Sequence, residues 1–558
     1  MKYHFYWIAF VLLTGTMQAQ NDSVQPEIEF AFASRSSMGI DAAQRIPGDT
    51  VKYNHALAIY NRLVAARGDY RAAIPDFVMS RDVRRVAWMN YDRMEIGIEE
   101  KAYDICMTFG ADADAALAAM IGHELSHYYE KHGWRRDFAQ QYADLEVGKQ
   151  LGVLSQTDQV FNETQADYIG GFLAYSAGFP VFGKSSEMTG ALYKAYGFPD
   201  VLPNYPVLDE RKQLNVRSAQ LLEKLVNVNE IANYLTITGK YRDAAMYYQY
   251  VLQQYQSPSL YNNAGIMALL SGLDLGRDTS FSYVLPIELD MTSIGSRGKT
   301  EFDAREKLFR EALRHFEAAI NMDPDYAPAY LNKACAYVLL HDNARAKYYA
   351  TVEVPAVVKR KPAYKKTGTD AQVVLAIIEV MDGNKTSAEK ILQDAYNQDS
   401  SAVALENLVR LKTGKPSPFV ALPSAISFVP ETIDDINLLL EAEELGVDYK
   451  NRINIGDGRT FFQNLNPGPN SKLLVGTQQA DGKEVKCYFL ITRPDYKGKT
   501  AKKIQVGSSA TAVSEAYKSP KKTIETTTGQ LLLYSDIIFF IGPAPESKVM
   551  GWALWLEN

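Results

Sequence analysis

One heptapeptide constrains this chain more than any other feature. Ile121-Gly-His123-Glu124-Leu-Ser-His127 follows the alanine-rich run Ala115 to Met120, and nothing breaks a helix before Gly133. On a helix the two histidines, four residues apart, project from one face and can grip a single metal ion. Glu124, one residue round, can reach a water on that ion. A helical histidine pair also occurs as an ordinary surface or core pair, so a metal reading needs more ligands. Catalytic zinc takes three protein ligands and keeps a fourth position open for water. A third histidine in the same segment would need Gly at 130 and His at 133, where the chain has Glu130 and Gly133. The other arrangement places a glutamate on a later helix, with an acid one turn on that fixes a ligand histidine's tautomer. Asn162-Glu163-Thr-Gln-Ala166-Asp167 fits it, with Glu163 and Asp167 four apart and Gly170-Gly171 following.

The histidine segment carries the HExxH metallopeptidase signature. Three stretches together resemble a known family: His123-Glu124-Leu-Ser-His127 with His132, Glu163-Thr-Gln-Ala166-Asp167-Tyr-Ile-Gly170, and Ala177-Gly178-Phe-Pro180. They are similar to the zinc metallopeptidases that include the HtpX heat-shock protease, the CAAX prenyl endopeptidase and the periplasmic BepA-type subgroup. Tyr205-Pro206 with Asp209-Glu210-Arg211 is a weaker match, since family members often carry His-Pro before the arginine and this chain has Tyr205. The resemblance covers roughly residues 80 to 220. It implies a mainly helical gluzincin domain with a small edge sheet, one zinc ion per chain held by His123, His127 and Glu163, and peptide-bond hydrolysis with Glu124 as base. Asp167 would orient a ligand histidine. An oxyanion needs a donor besides the metal, and Tyr205 and His132 are the nearby candidates. His132, beside Gly133, equally suits a helix C-terminal cap. Alternation in Met94-Glu-Ile96-Gly-Ile98 suits an edge strand that pairs with an extended substrate, or an ordinary half-buried strand.

Around this segment the text divides into a multidomain α+β chain. Lys2 before the apolar run Phe5 to Leu13, and Met17-Gln18-Ala19 before a polar stretch, reads as a signal peptide over residues 1–19. Nine apolar residues fall short of the roughly 20 that cross a bilayer, which argues against a retained anchor. Export without stable membrane insertion is expected, and in a diderm bacterium a periplasmic location. Residues 20–228 form the metallopeptidase domain on this reading.

From 229 to 414 small residues recur in a helical text: Ala244 with Tyr248, Ala312 with Phe316, Ala319 and Pro324, Ala346 after 34 residues, then Ala388, Leu392 and Ala395. That spacing, with Tyr330 and Tyr337 as first-helix aromatics, is the tetratricopeptide pattern, the alternative being an irregular helical bundle. Asp274 to Lys299 reads as a loop insertion and Pro355 to Asp370 as a basic linker-like break. Residues 415–558 read as a small β-rich α+β or sandwich-like domain. Its expected strands lie at Lys472–Gly476, Val485–Thr492, Leu531–Gly542 and Val549–Glu557, with a helix at Ala510–Tyr517.

Composition narrows the function classes. A net charge of −7 with no block of like charge excludes a nucleic-acid footprint, so the partners expected are polypeptide substrates and, at the repeats, envelope proteins. Three scattered cysteines, Cys106, Cys335 and Cys487, rule out a disulfide framework or a cysteine zinc finger. The main expectation is an exported zinc metalloendopeptidase. The competing one, from another class, is a periplasmic chaperone or adaptor scaffold with a latent or vestigial zinc site.

Overall fold

The computed structural model describes residues 49–131, 155–201, 207–275, 283–288, 301–414 and 431–556, apart from short breaks at 82, 84, 92, 441–443, 449–451, 457–459, 481–482, 494–495 and 527–528. The expected signal peptide, His132, Tyr205 and most of the 274–299 insertion lie outside them. The chain clusters into two compact units that divide between Val226 and Asn227. Among the described residues no helix is long and apolar enough to cross a membrane.

The first unit opens with α1 (Thr50–Arg67). The Asp49 carboxylate caps it by accepting from Val51 N at 2.9 Å, and Gly68 ends it at φ 60°. A three-stranded sheet follows, β1 (Asp76–Ser80), β2 (Ala87–Asn90) and β3 (Glu95–Glu99), in the order β1-β3-β2. β3 pairs with β1 in parallel and with β2 antiparallel. This corrects one expectation: the Ile96-Gly-Ile98 strand is central, buried on both sides, and offers no edge to a substrate. Its alternation was that of a strand covered on both faces, with the Trp88 ring lying against Gly97.

Then come α2 (Glu100–Met107), α3 (Ala113–Tyr129), α4 (Ser155–Ser176), α5 (Ser185–Tyr196) and the start of α6 (Leu208–Ile237). α3 is apolar on most of its surface, with Ala116, Leu117, Ala118, Ile121 and Leu125 buried, as suits a helix surrounded by other elements. It ends at Tyr129, with Lys131 at φ 57°, short of the Gly133 that the sequence suggested as its breaker.

The second unit continues from α6 through α7 (Tyr241–Gln254), α8 (Pro258–Asp274), α9 (Glu301–Met322), α10 (Ala327–Leu339) and α11 (Asn343–Tyr348). A π-helical turn (Tyr349–Glu353) leads into α12 (Val354–Arg360), α13 (Lys365–Met381), α14 (Lys385–Asp399) and α15 (Ala402–Thr413). The recurring small residues lie where helices touch: Ala244, Ala312, Ala319, Ala346, Ala388 and Ala395 are all fully buried. A Cβ on Gly265 would stand 2.3 Å from the Phe316 ring, so α8 and α9 need glycine there to pack. Residues 355–370 are helical apart from Lys361, with a 3-10 turn at Pro362–Tyr364, where a linker was expected: α12 buries Val354 and Val357, and α13 buries Thr367, Thr369 and Asp370. Their basic residues occupy the outward faces, so charge hid an amphipathic pattern.

The same unit ends in one eight-stranded antiparallel sheet of order β4-β5-β6-β7-β11-β10-β9-β8. Its strands are β4 (Ile453–Gly456), β5 (Thr460–Leu465), β6 (Ser471–Ala480), β7 (Lys483–Thr492), β8 (Lys522–Thr526), β9 (Gly529–Leu533), β10 (Ile537–Ile541) and β11 (Val549–Trp555). The expected strand Leu531–Gly542 is two strands, because the chain reverses at Ser535-Asp536 and pairs Ile538 with Leu533. α16 (Ala510–Tyr517) spans the residues expected for it and adds Val513 and Tyr517 to a core around Phe539 and Trp552.

Candidate metal centre

α3 and α4 approach at two glycines. A Cβ on Gly170 would stand 2.6 Å from Gly122 C and from His123 N, and one on Gly122 would stand 2.7 Å from Gly170 O. No larger residue fits at either place without parting the helices. This crossing sets Glu163, two turns before Gly170, opposite the His123 and His127 face.

Ligand atoms of His123, His127 and Glu163 all lie within 4.8 Å of one another. The two Nε2 atoms are 3.0 Å apart, and Glu163 brings Oε2 to 3.5 Å from His123 Nε2 and Oε1 to 3.6 Å from His127 Nε2. Two ligand atoms on one tetrahedral zinc at about 2.0–2.1 Å stand roughly 3.3–3.4 Å apart; the imidazole pair is near that spacing, and each histidine faces a different oxygen of Glu163, so the three side chains are within reach of one ion. The donor set, two imidazoles and a carboxylate, also suits zinc.

His123 Nδ1 donates to Asp167 Oδ1 at 2.7 Å, which in the neutral imidazole leaves the Nε2 lone pair for the cluster. The support extends outward, because Asn215 Nδ2 donates to Asp167 Oδ2 at 3.1 Å and Thr189 Oγ1 donates to Asn215 Oδ1 at 3.2 Å. Arg211 Nη1 donates to Glu163 Oε2 at 3.0 Å. Arg211 and Asn215 are one turn apart on α6 and serve Glu163 and Asp167, themselves one turn apart on α4. On the other side, the Tyr91 hydroxyl donates to the His127 carbonyl.

The electrostatics follow from burial and these partners. Burial alone would lower the His123 imidazole, but the hydrogen bonds to Asp167 and Glu163 outweigh it and raise it well above its ordinary value. Burial would raise the Glu163 carboxyl, but the bond and charge of His123 and the Arg211 guanidinium hold it well below the usual carboxylate range. Glu124 has no such compensation. Its desolvation, offset only in part by the His123 charge, lifts its carboxyl to about 7.

Of the residues singled out from sequence, the structure thus brings His123, His127, Glu163 and Asp167 together, with Glu124 beside them. Tyr205 and His132 lie outside the described residues. Sequence reasoning met Arg211 as the arginine of the weaker family match and gave no role to Asn215, Thr189 or Tyr91. The four-residue spacing of Arg211 and Asn215 was the available signal for Asn215. No family model and no curated protein matches this chain.

Proposed function

We propose that this chain is a zinc-dependent metalloendopeptidase of the gluzincin type, exported and acting on envelope or misfolded polypeptides. The observation that carries the reading is the convergence of His123, His127 and Glu163, whose ligand atoms lie within 4.8 Å of one another, with Asp167 bonded to His123 Nδ1. Zinc bound there would supply Lewis acidity and bring the pKa of a water toward neutrality.

The chain's own groups account for the remaining chemistry. Glu124, one residue from His123, takes a proton from the attacking water and returns it to the amine nitrogen as the peptide C–N bond breaks. Arg211 anchors Glu163 through Oε2, which leaves Oε1 on the His127 side of the cluster. β1 and β2 are the two edges of the sheet among the described residues, and β2, half-buried and packed against α3, is the one that could offer its edge to an extended substrate. The helical stretch of the second unit serves, on this reading, as a tetratricopeptide-like surface for substrates or envelope partners.

Arg211 also favours a second reading, a chaperone or adaptor whose metal site is latent, since a guanidinium already neutralises one oxygen of Glu163. Metal analysis after chelation and zinc reconstitution tests the site itself. The wild type should hold about one zinc per chain, and His127→Ala and Glu163→Ala should hold far less. A folded wild type that retains no zinc would sink the proposal.

A further inference from the structure

Residues 283–288, Tyr-Val-Leu-Pro-Ile-Glu, run through the second unit as a non-helical stretch among helices, with a tight turn at Pro286 where Ile287 N–H donates to the Leu285 carbonyl at 3.0 Å. Val284, Leu285, Ile287 and Glu288 are buried. Asparagine side chains grip their backbone. Asn407 is bidentate on Val284, accepting from its N–H at 2.7 Å and donating to its carbonyl at 2.7 Å. Asn332 does the same for Glu288, accepting from N at 2.9 Å and donating to O at 2.8 Å. Asn262 adds a second donor to the Glu288 carbonyl at 3.0 Å.

These amides recur in register. Asn332 and Asn407 are the sixth residues of α10 and α15, and Asn262 is the fifth of α8. Asp370, sixth in α13, holds the same place, and beside it the Thr367 hydroxyl donates to Glu288 Oε2 at 2.9 Å. Asn229 precedes Asn262 by 33 residues; it is fully buried, and neither atom of its amide has a hydrogen-bond partner among the described residues. A bidentate amide satisfies the N–H and C=O of a residue whatever its side chain, which is how extended peptides are held by proteins. A buried loop serving only as filling has no need for the same amide on successive helices.

We propose that the shared face of α8, α10, α13 and α15 is a binding groove for a non-helical apolar peptide of another polypeptide, and that Val284–Glu288 occupies it as a built-in competitor. The cis occupant defines the class: an aliphatic pair, a proline with no N–H to satisfy, and a second aliphatic residue. Glu288 fits least well, because its Oε1 is buried without a hydrogen-bond partner among the described residues, so a competing peptide with an apolar residue there gains over the cis segment. This goes beyond the peptidase reading and does not depend on zinc, so either can fail alone.

The test replaces residues 283–288 of the full chain with glycine and serine and titrates in fluorescent acetyl-Tyr-Val-Leu-Pro-Ile-Glu-amide. Saturable binding at least about tenfold tighter than to the wild type is expected, with Asn332→Ala or Asn407→Ala in the replaced chain weakening it about five- to tenfold. A folded replaced chain that does not bind overturns the proposal. So does one that fails to fold, because the segment is then core. Hydrogen exchange on the unaltered wild type gives an independent reading. The Val284 and Glu288 amides should exchange at least about tenfold faster than those of Ala334 to Val338 in α10, and equal protection would mark the segment as a fixed part of the fold.

Discussion

Asn215 touches none of the three ligand residues, yet it holds the carboxylate that holds His123. Outer partners of this kind set imidazole orientation, and their loss typically lowers metal affinity about 10–100-fold. Asp167→Ala should therefore weaken zinc binding by about that range, and Asn215→Ala by roughly tenfold, in competition with a chromophoric chelator. Unchanged affinity in both would remove the hydrogen-bond chain from the account. At this scale the sequence was informative wherever spacing fixes geometry. His123 with His127, and Glu163 with Asp167, each sit one turn apart on a single helix, so their shared faces could be read directly. Arg211 and Asn215 on α6 and Tyr91 after β2 lie on elements other than α3 and α4, and only tertiary packing brings them to the site.

The crossing of α3 and α4 is the element on which the site depends. Gly170→Ala would drive a methyl into the backbone of Gly122 and His123, at 2.6 Å. Overpacking of this kind costs typically 1–3 kcal/mol. Here the strain falls on the ligand-bearing turn, so zinc affinity should drop together with the melting temperature. A variant with full affinity would show that the helices part freely.

A second element, the non-helical stretch ending at Glu288, gives a prediction in pH. Burial first, and then the Asp370 charge, raise the Glu288 carboxyl to about 8, while Lys366 and the Thr367 hydroxyl pull the other way. The folded state thus keeps a proton that the unfolded chain releases near 4.5. That stabilisation is complete below about pH 4.5 and is lost as pH rises through about 8. Asp370, itself raised by burial, acts in the same direction, so removing Glu288 alone should flatten the dependence in part. Glu288→Gln should melt a few degrees above the wild type near pH 8.5, with the gap closing near pH 5. An equal pH profile for both chains would contradict it.

Elements were legible in the sequence to different degrees. α16 and the strand hairpin β6-β7 announce themselves by alternation and turn residues. The central place of β3 does not, because alternation says nothing of how many neighbours a strand has. α12 and the start of α13 were hidden by lysines and prolines, although Pro355 stands in the first turn of α12, where proline is tolerated. Burial of Val284 to Glu288 was hidden by the Gly, Ser, Thr and Asp around them, which made the whole insertion read as surface loop.

At the scale of the whole molecule, a helical unit with a small sheet carries the ligand cluster, and a second unit carries the asparagine-lined stretch and the eight-stranded sheet. The central claim is that the cluster, with Glu124 beside it, cleaves peptide bonds. The most direct measurement incubates the zinc-loaded chain and its Glu124→Gln variant with unfolded casein and identifies the products by mass spectrometry. The account predicts internal cleavage products from the wild type and a loss of about 100-fold or more in the variant, which keeps its zinc. Equal products from both chains, or none from a folded, zinc-loaded wild type, would contradict it.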